Sequence, residues 1–136
     1  MAVSPEDVLS FWFEVCTPQQ WFAKDAAFDA DLKVRFGAAV EAALSGGLTD
    51  WEESCRGRLA LVMVLDQFTR NIHRDTPRAF AGDPRALAIC QAGVAAGDLA
   101  QLSEEQRQFL LMPMMHSEDL AVHLAGLPLF EQHTSE

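Results

Sequence analysis

Basic residues are scarce in this sequence. Its 136 residues include 10 lysines and arginines against 20 aspartates and glutamates, and the formal net charge at pH 7 is -10. Proteins that bind nucleic acid bring a basic surface to the phosphates, and attraction to anionic lipid also needs clustered lysine and arginine. We therefore expect neither a nucleic-acid partner nor a membrane partner.

Cysteines are few, and long apolar runs are missing. The three cysteines are widely spaced and form no CxxC motif, which argues against a disulfide framework or a zinc knuckle. The longest apolar run, residues 59–65, is far shorter than the roughly 20 residues that span a bilayer. Glu6 and Asp7 stand where a secretory signal would carry lysine. These features predict a cytoplasmic protein with reduced cysteines.

Motifs of common cofactor and metal sites are missing as well. The sequence contains no HExxH pair, no P-loop, no glycine-rich dinucleotide fingerprint and no GxSxG nucleophile motif. His116 and His123 are seven residues apart, whereas two ligands on one helical face are usually spaced i, i+4. We expect no metal ion and no cofactor.

Helical periodicity dominates what the sequence does contain. Apolar residues recur every four positions at Phe28, Leu32 and Phe36, which indicates an amphipathic helix. Residues 54–72 continue this spacing but are apolar on all sides in the middle, which is typical of a buried central helix.

Prolines and caps divide the remaining chain into helices. We expect Pro113 to end the helix that begins at Ser103, and Pro128 to kink or end the last helix, which Ser117 would cap. The sequence predicts a single all-α domain over residues 1–136, with about five main helices in antiparallel pairs. They would form a bundle or an array similar to tetratricopeptide repeats.

Positive charge concentrates in residues 56–85, which contain six arginines and three aspartates. Arginine forks match the geometry of carboxylates and phosphates, so this window predicts a site for a small anion or an acidic peptide end. The expected binding residues are Arg70, Asn71, Arg78, Gln67 and Ser117.

An alternative for the same window is purely structural. In it, three arginines (70, 74 and 78) pair with the aspartates of the window (66, 75 and 83) and brace the turn. The spacing of Asp66 and Arg70 is i, i+4 in the favourable order for such a pair.

His116 marks the second polar cluster of the sequence. It lies between Pro113 and Ser117, with Glu118 following. A histidine there can act as a general base or a metal ligand, with Asp66 or Glu118 as its partner, in a small hydrolase-type enzyme. The alternative is an ordinary helix start in which His116 anchors the loop.

Four segments of the chain carry a family resemblance: VLSFWF at residues 8–13, QWFAKDAAFD at 20–29, RGRLALVMVLDQFTRNIHRDTPRAFAGD at 56–83 and FLLMPMMHSEDL at 109–120. They resemble the bacterial family of uncharacterised proteins called domain of unknown function 924. The resemblance implies an all-helical fold similar to tetratricopeptide-repeat proteins, without an established activity. The matching motif residues are Asp66, Gln67, Arg70, Asn71, Arg78, Phe80, His116, Ser117 and Glu118.

The chain departs from the family pattern at two positions and at its end. Thr69 stands where the family usually has proline, and His73 stands where it usually has an aromatic residue. Family members commonly continue past residue 130 with a basic helical segment, so this C-terminus looks short by comparison. We expect an apolar face at Leu124, Leu127 and Phe130 that a homodimer could cover.

Two functions remain open at this point. The first is a binding or scaffold protein whose polar corner holds a small anion or a peptide end. The second is a small hydrolase-type enzyme in which Arg70 stabilises developing negative charge beside His116.

Overall fold

The computed structural model describes residues 3–22 and 24–133, without the side chain of Phe22. Within this part of the chain there is no strand, which confirms the all-α prediction; the likeness to tetratricopeptide repeats stays a prediction. The α-helices are α1 (Pro5–Ser10), α2 (Pro18–Phe22), α3 (Ala26–Leu44), α4 (Cys55–Val62), α5 (Thr69–Ile72), α6 (Asp83–Ala95), α7 (Glu104–His116) and α8 (Leu120–His133).

The helix predicted at residues 54–72 is the centre of the fold. Ser54 caps it by accepting a hydrogen bond from the backbone N–H of Gly57. α4, a π-helical segment (Met63–Phe68) and α5 then follow one another without a break. Leu61 and Val64 are fully buried, as expected for a central helix. π-helical turns are frequent at functional sites, and this one contains Asp66.

An aromatic cluster packs the N-terminal helices against this central helix. Trp12 is fully buried, and its ring centroid lies 5.6 Å from that of Phe68 and 5.7 Å from that of Phe109. Trp21 donates its indole N–H to the carbonyl oxygen of Trp12 at 2.8 Å. Large apolar rings contribute strongly to core stability. The cluster therefore packs the N-terminal helices against the central helix and α7.

Both prolines that were expected to end or kink helices lie inside them, so the predicted end at Pro113 was wrong. α7 continues through Pro113 to His116, and α8 continues through Pro128. An interior proline removes one backbone hydrogen bond and crowds the carbonyl four residues earlier, at a cost of about 3 kcal/mol. Packing offsets this cost, because Pro113 is buried and α8 lies against α7.

Gly126 of α8 and Met114 of α7 make the contact between these helices. A Cβ atom at position 126 would lie 2.7 Å from the Cβ atom of Met114, so the two helices meet at a position that admits only glycine. The cap of α8 also differs from the expectation. Asp119, rather than Ser117, accepts the N–H of Ala121 at 3.0 Å.

The outer surface of α8 is partly apolar. Leu120 and Leu124 are exposed, whereas Leu127 and Phe130 are half-buried. The homodimer expected at this face stays a prediction. In the described helices, no stretch is long and apolar enough to cross a membrane.

Candidate functional site

A cavity of about 570 Å³ lies where α5 meets α6 and α7. It joins the two polar clusters of the sequence, which are separated by some fifty residues along the chain. Its lining residues are Arg70, Phe80, Asp83, Pro84, Leu87, Pro113, His116, Ser117 and Glu118.

Asp66 and His116 form a hydrogen-bonded pair at this cavity. Oδ1 of Asp66 lies 2.9 Å from Nδ1 of His116. The carboxylate is only 2% exposed, whereas the imidazole is 29% exposed. A carboxylate at Nδ1 favours the tautomer that carries its proton there. Nε2, the other ring nitrogen, has no hydrogen-bond partner among the described residues and is free to accept a proton.

Arg70 connects Asp66 to a second carboxylate. Its Nη1 lies 3.1 Å from Oδ1 of Asp66 and 2.9 Å from Oδ1 of Asp83, and Nη2 lies 3.0 Å from Oδ2 of Asp83. The guanidinium carbon also lies 5.2 Å from the ring centroid of Phe80. A buried charge is stable only when it is paired and hydrogen-bonded, so Arg70 supplies the positive charge that the buried Asp66 needs.

Gly82 brings Asp83 to this position. A Cβ atom at residue 82 would lie 2.3 Å from the backbone oxygen of Leu65. The chain before α6 therefore touches the central helix backbone to backbone, and the next residue, Asp83, reaches Arg70. The signal for this contact in the sequence is the glycine directly before Asp83-Pro84.

Gln67 and Asn71, two of the predicted binding residues, lie outside the lining of this cavity. Nε2 of Gln67 donates to Oδ1 of Asn71 at 2.9 Å, and Nδ2 of Asn71 donates to Oδ1 of Asp29 at 3.0 Å. Nε of Arg74 donates to the same aspartate at 2.8 Å. These side chains connect the central helix to α3.

Arg78 also lies apart from the cavity and pairs with Glu41 of α3. Of the five predicted binding residues, Arg70 and Ser117 line the cavity, and the other three do not. All three candidate catalytic residues belong to one site, because His116 and Glu118 line the cavity and Asp66 supports His116.

Each of the six arginines in the positive window pairs with a carboxylate. Arg70 has the partners that the bracing alternative predicted, whereas Arg74 and Arg78 reach across to α3. The remaining pairs are Arg56 with Glu6, Arg58 with Asp98 and Arg85 with Glu52. The fold therefore neutralises the positive window of the sequence.

Cys90 is fully buried. Burial, and secondarily the charge of Asp66, raises the pKa of its thiol to about 12. A thiol with such a pKa is protonated at neutral pH and is a poor nucleophile. In residues 3–22 and 24–133, no group of three or more His, Cys, Asp or Glu side chains is placed to hold a metal ion.

Comparisons with other proteins agree with this fold and give no activity. Residues 8–136 match the family model described as bacterial protein of unknown function DUF924. A solved structure of a protein of unknown function from Agrobacterium tumefaciens is similar, with a TM-score of 0.90 and 35% sequence identity. The match covers 96% of this chain and 74% of that one. No curated protein matches the chain. The chain belongs to the bacterial family of unknown function DUF924.

Proposed function

We propose that the cavity is a catalytic site of hydrolase type, in which the Asp66–His116 pair is the general base. One observation carries this proposal: a buried carboxylate lies 2.9 Å from Nδ1 of a histidine that lines a cavity. In this arrangement Nε2 takes a proton from a water molecule or a substrate hydroxyl, and Asp66 stabilises the imidazolium that forms.

Arg70 supports the pair in two ways. Its Nη1 donates to both the carboxylate and the backbone oxygen of Asp66, at 3.1 Å and 2.7 Å, which fixes the position of Asp66. Its Nε–H has no hydrogen-bond partner among the described residues. We propose that this donor serves a substrate oxygen on which negative charge develops.

The binding module that the sequence favoured has less support. That function needs free arginines, and each arginine of the positive window pairs with a carboxylate. Gln67, Asn71 and Arg78 also lie away from the cavity. A small anion or an acidic peptide end as the partner stays a prediction.

The proposal is tested by hydrolysis of chromogenic esters, amides and phosphoesters by the wild type and two variants. His116→Gln removes the proposed base, and His123→Gln is a matched control. His123 lies in α8, where Nδ1 is 3.1 Å from the backbone oxygen of Met115, and it does not line the cavity. We expect His116→Gln to lower kcat/KM by about 100-fold or more and His123→Gln to leave it close to wild type.

The Asp66→Asn variant distinguishes a catalytic role of Asp66 from a purely structural one. If Asp66 orients and stabilises the base, kcat falls far more than KM changes, even at temperatures where the variant is fully folded. If the pair is only a structural brace, the melting temperature falls while turnover per folded molecule stays unchanged. That result, or full activity in His116→Gln, would contradict the proposed function.

A further inference from the structure

We infer that the substrate of this cavity carries a cationic group, an ammonium or a guanidinium, at the end of a short apolar chain. The inference rests on the proposed function only for identifying the cavity as the substrate site. It concerns the charge and shape of the lining, and the sequence alone pointed to the opposite charge.

The charged groups around the cavity are mostly acidic. The lining contains one arginine, Arg70, and two acids, Asp83 and Glu118. Asp66, directly behind His116, adds a third carboxylate. Because Arg70 is already shared by Asp66 and Asp83, one positive charge faces three negative charges. A second cation would balance this surplus, and an anion would increase it.

Glu118 is the carboxylate whose oxygens remain available as hydrogen-bond acceptors. Asp66 is occupied by His116 and Arg70, and both oxygens of Asp83 accept from Arg70. Glu118 is exposed and has no ion pair or hydrogen bond among the described residues. Its carboxylate can accept hydrogen bonds from an ammonium or guanidinium without displacing a protein partner.

The remaining wall of the cavity is apolar. Phe80, Pro84, Leu87 and Pro113 supply it, and Phe80 is 57% exposed. An exposed ring that already packs against the guanidinium of Arg70 offers a surface on which a further apolar or cationic group can pack. The lining thus combines an apolar wall with a free carboxylate, which fits an amine on a short hydrocarbon chain.

The test compares three probes of one chain length: pentylammonium, pentanol and pentanoate. Each is titrated into the intact protein, with backbone amide NMR shifts of lining residues such as Leu87 and Ser117 as the readout. We expect pentylammonium to bind about tenfold more tightly than pentanoate at low salt, with pentanol between them. Added salt should reduce this difference.

Two glutamate variants identify the source of the preference. Glu118→Gln should reduce the preference for pentylammonium to about twofold, while Glu105→Gln, an exposed acid in the first turn of α7, should leave it unchanged. The inference fails if pentanoate binds as tightly as pentylammonium, if pentylammonium causes no saturable shift at the lining residues, or if the preference survives Glu118→Gln. It fails separately from the proposed function, because His116→Gln should lower kcat/KM by about 100-fold or more and leave the preference for the ammonium intact.

Discussion

Asp66 and His116 lie fifty positions apart in the sequence and share a 2.9 Å hydrogen bond. Asp66 belongs to the π-helical segment of the central helix, and His116 is the last residue of α7. The same carboxylate also binds Arg70. One buried group therefore links the two polar clusters of the chain, and the shape and charge of the cavity depend on it.

Gly82 should tolerate no side chain. The Cβ atom of Gly82→Ala would lie 2.3 Å from the backbone oxygen of Leu65, and two backbone segments cannot separate without disturbing the cavity. We expect a loss of about 2 kcal/mol or more in the free energy of unfolding, measured by urea denaturation. Gly37→Ala is the control, because the nearest atom there, Cγ of Lys33, is 3.5 Å away.

Gly37 lies inside α3, where alanine is the better helix former. We expect Gly37→Ala to leave stability unchanged or raise it by up to about 1 kcal/mol. A Gly82→Ala variant as stable as the wild type would show that the contact between residue 82 and the central helix does not hold in solution.

Asp98 should contribute far more to stability than an exposed aspartate with a similar partner. Asp98 is fully buried and accepts from Nε and Nη2 of Arg58 at 2.7 Å and 2.6 Å. Removing Asp98 leaves the charge of Arg58 unpaired and poorly solvated. Asp98→Ala should therefore lower the free energy of unfolding by about 3–5 kcal/mol. The exposed pair of Asp31 and Arg35 serves as the control, and Asp31→Ala should cost less than about 1 kcal/mol.

Thermal and urea unfolding measure both losses. If Asp98→Ala does not fold, Asp98→Asn gives the comparison, since it keeps the shape and two hydrogen-bonding atoms. Equal losses in the two aspartate variants would contradict the importance of burial for the pair with Arg58.

We expect the buried thiols to resist alkylation. We also expect them to lower the free energy of unfolding at alkaline pH. Burial raises the pKa of Cys16 from 9.0 to about 11 and that of Cys90 to about 12. Well below pH 9 these thiols are mostly protonated in both the folded and the unfolded chain. Above pH 9 the unfolded thiols ionise first, so the free energy of unfolding declines as the pH rises toward 11 and 12.

Iodoacetamide labelling at pH 8 followed by peptide mass analysis measures the thiols site by site. Because the thiolate is the reacting form, Cys16 should react about 100-fold more slowly in the folded protein than in urea, and Cys90 more slowly still. Labelling of either site at the unfolded rate would contradict its burial.

The sequence was sufficient for the helical class and for the central helix. Residues 59–65 are apolar on every face, so we expected this segment to be buried. The structure confirms its burial. The helix end at Pro113 could not be predicted correctly, because Pro113 is buried inside α7, which packs closely against α8 at Met114 and Gly126. That contact involves residues in a different helix, which local patterns do not report.

The residue types of the site were predictable, and so were some of its contacts, since Asp66 was one of the two partners considered for His116. Asp66, Arg70, His116 and Glu118 were visible as polar residues beside apolar helices, and the i, i+4 order predicted the pair of Asp66 and Arg70. The partners of Arg74 and Arg78 were not predictable, because Asp29 and Glu41 come from α3, far away in sequence. The anion prediction depended on unpaired arginines, and these two carboxylates neutralise the charges of Arg74 and Arg78.

The tautomer of His116 tests the central claim most directly. Long-range ¹H–¹⁵N correlations of the imidazole at alkaline pH report which nitrogen carries the proton. The account predicts a proton on Nδ1, hydrogen-bonded to Asp66, with Nε2 unprotonated, and it predicts that Asp66→Asn disturbs this state while His123→Gln does not. A proton on Nε2 in the wild type would contradict the assignment of His116 as the general base.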